Sequence, residues 1–168
     1  GGKDHTFVMQ MGNVPLTQIT PESLKRMLDE TGIEHQVVIV SACYSGGYIE
    51  PLRDEHRLVL TASRQDRTSF GCGADSEITW FGKAFWAEAM NETNDMEKAF
   101  NQARLTIAEW EEQSGNIASE PQIGMGTEMR NYLSKWQAQL PPDRPRVIFD
   151  ATPLAKARPA AVDKSEHR

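Results

Sequence analysis

Val37-Val38-Ile39-Val40-Ser41-Ala42-Cys43-Tyr44-Ser45-Gly46-Gly47 joins an apolar, β-branched run to a turn of small residues, with a thiol at the junction. Four apolar residues in a row, without polar alternation, are what a strand buried on both faces of a helix-covered parallel sheet requires. Ligands of open α/β sheets bind at the carboxyl ends of the strands, which is where Cys43 falls. Glycines just beyond allow a substrate carbonyl to approach the backbone, and N–H groups after the turn can stabilise an oxyanion. The position therefore suits a nucleophile for acyl transfer. It also suits an inert core cysteine, because cysteine is among the most buried residue types.

Working outward, Leu58-Val59-Leu60-Thr61-Ala62 is a second apolar run. The intervening Pro51 and Arg53-Asp54-Glu55-His56 leave room for a short crossover helix, which makes a βαβ unit. Upstream, Thr20 is a candidate N-cap followed by Pro21, with Leu24, Met27 and Leu28 on one face and Gly32 at the end. Downstream, residues 63–77 read as a polar loop long enough to be a functional surface. Helices are predicted near Trp80 to Met90, from Asn94 to before Gly115 with Glu97 as a capping-box partner, and from Thr127 to Trp136. Short extended pieces are predicted at His5 to Met9, Pro121 to Ile123 and Val147 to Phe149.

Composition bounds the function. The 168 residues are 39% hydrophobic and 25% charged, which fits one core and excludes a disordered chain. A net charge of −6 divides into −8 for residues 1–150 and +2 for the tail, so there is no basic face to neutralise a phosphate backbone and no nucleic-acid partner is expected. No apolar run reaches the roughly 18 residues that a membrane span needs. The expected division is a domain over residues 1–140 and a proline-containing, partly disordered extension over residues 141–168.

The segment Val38-Ile39-Val40-Ser41-Ala42-Cys43-Tyr44-Ser45-Gly46-Gly47 resembles the nucleophile segment of the legumain-like cysteine peptidases, relatives of the caspases and of the catalytic subunit of GPI-anchor transamidase. Their pattern is an apolar strand followed by Glu-Ala-Cys-x-Ser-Gly, with Ser41 standing here in place of the acid. The likeness continues through Leu60-Thr61-Ala62-Ser63, through Asp66-Arg67-Thr68-Ser69-Phe70-Gly71-Cys72 and, more loosely, through Phe81-Gly82-Lys83. It covers about residues 1 to 125 and is nearest to bacterial members.

The resemblance implies a three-layer, caspase-like α/β fold with a mostly parallel central sheet, whose N-terminal strands would precede this chain. It implies a cysteine endopeptidase in which the Cys43 thiolate attacks a peptide carbonyl and water resolves the acyl-enzyme. The same acyl-enzyme could serve transamidation. Thr68 and Ser69 fall on the two serines that shape the family's substrate pocket, Ser41 lies beside the nucleophile, and the pocket's acidic residue falls on Lys83. The family's catalytic histidine belongs to a His-Gly motif whose glycine would be Gly1, so that Gly1 and Cys43 supply the oxyanion N–H groups and the histidine precedes Gly1. His5 is the substitute within this chain.

Other readings stand beside this one. A caspase-like module could bind peptide or protein without turnover, and Cys72, 29 positions after Cys43, could form a redox pair with it. His35 and His56 each follow a glutamate and precede a strand without i, i+4 spacing, so no metal is expected. Trp80, Trp86, Trp110 and Trp136 read as core or helix-face residues. The expected partner is a peptide or protein substrate, and thiol chemistry needs no cofactor. Nothing in the sequence sets a cellular address.

Overall fold

The computed structural model describes residues 2–7, 18–71 and 78–141. Helix α1 (Pro21–Glu30) begins as the capping pattern requires. Thr20 Oγ1 accepts from the Ser23 N–H at 3.2 Å, and Ser23 Oγ accepts from the Thr20 N–H at 2.9 Å. Two donors that would otherwise be orphaned are thereby satisfied. Leu24 and Leu28 pack onto the sheet, whereas Met27, expected on the same face, is exposed.

Strands β1 (Gln36–Val40) and β2 (Arg57–Thr61) pair in parallel, with Gln36 opposite Arg57 and Val40 opposite Thr61. Their connection carries a 3₁₀ turn at Ser45–Tyr48 followed by further turns, rather than a crossover α-helix. This turn is sufficient because Tyr48 and Leu52 are fully buried and close that face of the sheet. Strand β3 (Gln122–Met125) runs antiparallel on the other side of β2, giving the order β1-β2-β3 and a mixed sheet.

The side chains of β2 explain its apolar run. Leu58 and Leu60 enter one core, and Val59 enters the other. Each such burial contributes about 1.5–3 kcal/mol, so a polar residue at any of these positions is disfavoured. Val38 and Val40 of β1 face the core shared with α1, while Ile39 faces the opposite one.

That second core is closed by α2 (residues 80–92, with Lys83–Ala89 as a π-helical segment), α3 (Met96–Gln113) and α4 (Thr127–Gln137). Phe81, Phe85 and Phe100 are its largest buried side chains. The N-cap of α3 is Asp95 rather than Asn94: Asp95 Oδ1 accepts from the Lys98 N–H at 3.0 Å. Helices thus cover both faces of the sheet in three layers.

Near the start of the chain, Phe7 and Ile19 form an antiparallel bridge, with ladder bonds of 2.9 and 3.2 Å. The rest of the strand expected through Met9, the extended piece at Val147 to Phe149, and most of the 141–168 extension lie outside the described residues.

Candidate active site

Beyond β1 the chain turns sharply, and Ser63, Arg67 and His5 fasten the turn. Ser45 and Ser63 are both buried and are bonded reciprocally: the Ser45 N–H donates to Ser63 Oγ at 3.1 Å, and the Ser63 N–H donates to Ser45 Oγ at 3.2 Å. Ser63 Oγ also donates to the Ala42 carbonyl at 3.2 Å. The end of β2 therefore holds the backbone on either side of Cys43. Both serines fall within the motifs quoted above, but nothing in the sequence indicates that they bond each other.

Tyr44 has φ 58° and ψ 18°, the left-handed region that a bulky residue seldom occupies. Such a residue costs about 1–3 kcal/mol and persists only where its surroundings enforce it. Here the Tyr44 N–H donates to the Arg67 carbonyl at 2.7 Å. Its own carbonyl accepts from His5 Nδ1 at 2.7 Å and from the Gly47 N–H at 3.3 Å.

The two glycines have a different purpose from the one their position suggested. A Cβ on Gly46 would lie 2.4 Å from the Gln65 nitrogen, and one on Gly47 would lie 2.2 Å from Cγ of His5. They admit the loop after β2 and the imidazole of His5 against the turn.

Cys43 is half-buried, and its described sulfur contacts are all with Ser69. The Ser69 N–H points at Sγ from 3.3 Å, the thiol reaches the Ser69 carbonyl at 3.4 Å, and Ser69 Oγ stands 3.6 Å from Sγ. Among the described residues the Cys43 N–H has no acceptor, while those of Tyr44, Ser45 and Gly47 are engaged. An N–H left open beside a thiol is a donor available to an incoming carbonyl oxygen.

The structure brings some of the predicted residues together. Ser69 meets the thiol, Thr68 is exposed beside it, and exposed Ser41 shares a 3.0 Å hydrogen bond with Thr79. Thr79 is a further residue the sequence did not single out, and it also caps α2 by accepting from the Gly82 N–H at 3.0 Å. His5 contacts the turn rather than the sulfur. Lys83 has its ammonium 4.9 Å from the centre of the Trp110 ring and 3.9 Å from Glu88. Phe70, Trp80 and Trp110 pack in series, with ring centres 5.3 and 5.9 Å apart. Gly1 and Cys72 lie outside the described residues.

The loop that carries Ser69 is anchored by charge. Arg64 bonds Asp66 and also Glu120, 2.6 Å away. The Arg64 guanidinium brings the Asp66 carboxyl down to about 2. The Arg64 N–H donates to the Ser119 carbonyl at 2.8 Å, and the Ser119 N–H is received by both oxygens of buried Glu111 on α3, at 3.0 and 3.1 Å.

A family model described as the Peptidase C13 family matches residues 1–131. The chain belongs to the Peptidase C13 family. This is the legumain family of cysteine peptidases, and the three-layer α/β arrangement is a partial caspase-like fold. No curated protein matches the sequence. Within the described residues no helix is long and apolar enough to cross a membrane.

Proposed function

We propose that the protein is a cysteine-type endopeptidase that cleaves peptide bonds through an acyl-enzyme on Cys43. The supporting observation is the half-buried thiol at the end of β1, faced by the Ser69 N–H and followed by a turn that leaves the Cys43 N–H open. The Ser69 N–H and carbonyl hold Sγ from two sides, and the thiolate is the form that attacks. Attack forms the C–S bond and places negative charge on the carbonyl oxygen, which the Cys43 N–H is positioned to receive. Collapse breaks the C–N bond, the amine leaves with the proton that the thiol gave up, and water then hydrolyses the thioester and returns a proton to the sulfur. Ser41, Thr68 and Ser69 line the approach for the substrate side chain, and the likeness to bacterial members belongs to the same reading.

In this scheme His5 stands in as the proton carrier. Its Nδ1–H is engaged by the Tyr44 carbonyl, so Nε2 is the ring atom left for proton transfer.

The test is labelling by a peptidyl electrophile. Fast modification of Cys43 over Cys72, abolished in Cys43→Ala and accompanied by peptide hydrolysis, supports the peptidase. Equal, slow alkylation of both thiols would sink it and leave a peptide-binding module. A product carrying an added amine would redirect the acyl-enzyme to transamidation.

A further inference from the structure

At the opposite end of the sheet from Cys43, a second group of chemically able side chains converges. We propose that Glu34, His35 and His56 bind a borderline divalent cation of the zinc type. One donor atom from each of the three lies within 4.8 Å of the other two. Nothing about this site depends on the peptidase reading.

The convergence follows from strand register. Glu34-His35 precedes β1 and Glu55-His56 precedes β2, and parallel pairing sets Gln36 opposite Arg57. The residues one step earlier, His35 and His56, are therefore neighbours, with ring centres 5.1 Å apart and planes at 84°. The Gln36 N–H donates to the His56 carbonyl at 3.0 Å, which locks the two chain segments together.

A second observation points to a ligand. His56 Nδ1 is buried and has no hydrogen-bond partner, and the nearby Glu34 Oε1 is 3.8 Å away. An imidazole nitrogen withdrawn from water and unpaired is a costly arrangement that a bound cation would relieve. Tetrahedral zinc with bonds of about 2.0–2.2 Å needs donors about 3.3–3.5 Å apart, so small side-chain rotations close the site.

Its surroundings position the two histidines. His35 stacks on Tyr132 of α4 at 3.9 Å with planes 17° apart. The His56 main-chain N–H donates to Asp54 Oδ1 at 2.8 Å, and Glu55 Oε2 accepts from the Thr127 N–H at the start of α4 at 3.0 Å, so the backbone that carries His56 is fixed while its ring can rotate. Two imidazoles and one carboxylate suit Zn²⁺, Ni²⁺ or Cu²⁺ and do not suit Mg²⁺ or Ca²⁺, which take oxygen donors. Glu34 is 71% exposed and His56 38%, so the cation would exchange with solvent. Binding would clamp β1 and β2 and would stabilise the folded chain.

Calorimetric titration of Zn²⁺ into the full chain carrying Cys43→Ala and Cys72→Ser, which removes thiolate competitors, tests the site. One equivalent should bind with Kd tighter than about 100 µM, and His35→Ala or His56→Ala should weaken it at least tenfold. Glu34→Gln, at an exposed position, should weaken it severalfold without disturbing the fold. In the same thiol-free chain, substoichiometric Cu²⁺ should broaden the imidazole proton resonances of His35 and His56 and the ring signals of Tyr132. Weaker or non-saturable binding, unchanged affinity in the folded variants, or broadening confined to other histidines overturns the proposal.

Discussion

Ser69 meets the Cys43 sulfur from two sides, offering its N–H to Sγ at 3.3 Å and its carbonyl to the thiol at 3.4 Å. The main chain supplies both contacts, so they survive any side-chain substitution that leaves the loop in place. The hydroxyl, 3.6 Å from sulfur, adds little.

Ser69→Ala should therefore leave the rate of iodoacetamide alkylation of Cys43 at pH 7 within about threefold, the effect of one weak hydrogen bond. A tenfold or larger fall would show that the hydroxyl, not the backbone, governs the reactivity of the sulfur. Peptide KM is the separate readout for its place in the substrate pocket.

Gly47→Ala would put a methyl group 2.2 Å from Cγ of His5, and the imidazole would have to leave its place on the Tyr44 carbonyl. Overpacking of this kind costs about 1–3 kcal/mol in urea unfolding. Adding His5→Ala should recover about 1 kcal/mol or more of that loss, because the clashing ring is gone. Strictly additive losses would mean that the two residues do not meet.

The Tyr48 phenol is pushed up to about 12, chiefly by burial. Unfolded, it titrates near its ordinary value of 10.0. Its contribution to stability is complete below pH 10 and is lost as pH rises through about 12, because the unfolded chain releases the proton first. Stability at pH 11 relative to pH 9 should fall more steeply in the unmutated protein than in Tyr48→Phe. The variant also loses the 3.2 Å bond to the Ile19 carbonyl, at about 0.5–1.5 kcal/mol. Equal slopes in the two proteins would contradict this assignment.

Arg57 opens β2 with a buried guanidinium that bonds Gln36 Oε1 at 2.8 Å, the Leu52 carbonyl at 3.1 Å and Asp29 Oδ1 at 2.9 Å. It ties α1 to the sheet. Arg57→Ala should cost about 2–4 kcal/mol, since it orphans buried acceptors and leaves a cavity. Lys25 is the larger cause holding the Asp29 carboxyl below its usual range, with Arg57 second. Yet Lys25 and Asp29 are both about two-fifths exposed, at 42% and 43%, so Lys25→Ala should change stability by no more than about 0.5 kcal/mol. Thermal melts of the two variants compare the sites directly.

The local parts of this fold were legible because they depend on neighbouring residues. Thr20-Pro21 starts α1 through a capping box built within four residues. Val38, Ile39 and Val40 are apolar because their two faces enter different cores, whereas Val37, expected to be buried with them, is exposed. What short-range patterning missed was the direction of the third strand, since Gln122–Met125 carries no sign of whether it runs with β2 or against it. The short crossover helix that the sequence predicted is replaced by a single 3₁₀ turn, because buried Tyr48 and Leu52 already close that face of the sheet.

For the site, sequence alone determined that a thiol follows a buried strand and precedes a glycine turn, because covalent order and side-chain chemistry are local properties. Tertiary structure decided who stands around it. Ser69 is 26 positions from Cys43, Ser63 is 18 from Ser45, and His5 is 39 from Tyr44. Glu34, His35 and His56 likewise come from the starts of two separate strands. Such contacts are set by parallel register and by the packing of loops over strand ends, and no spacing along the chain records them.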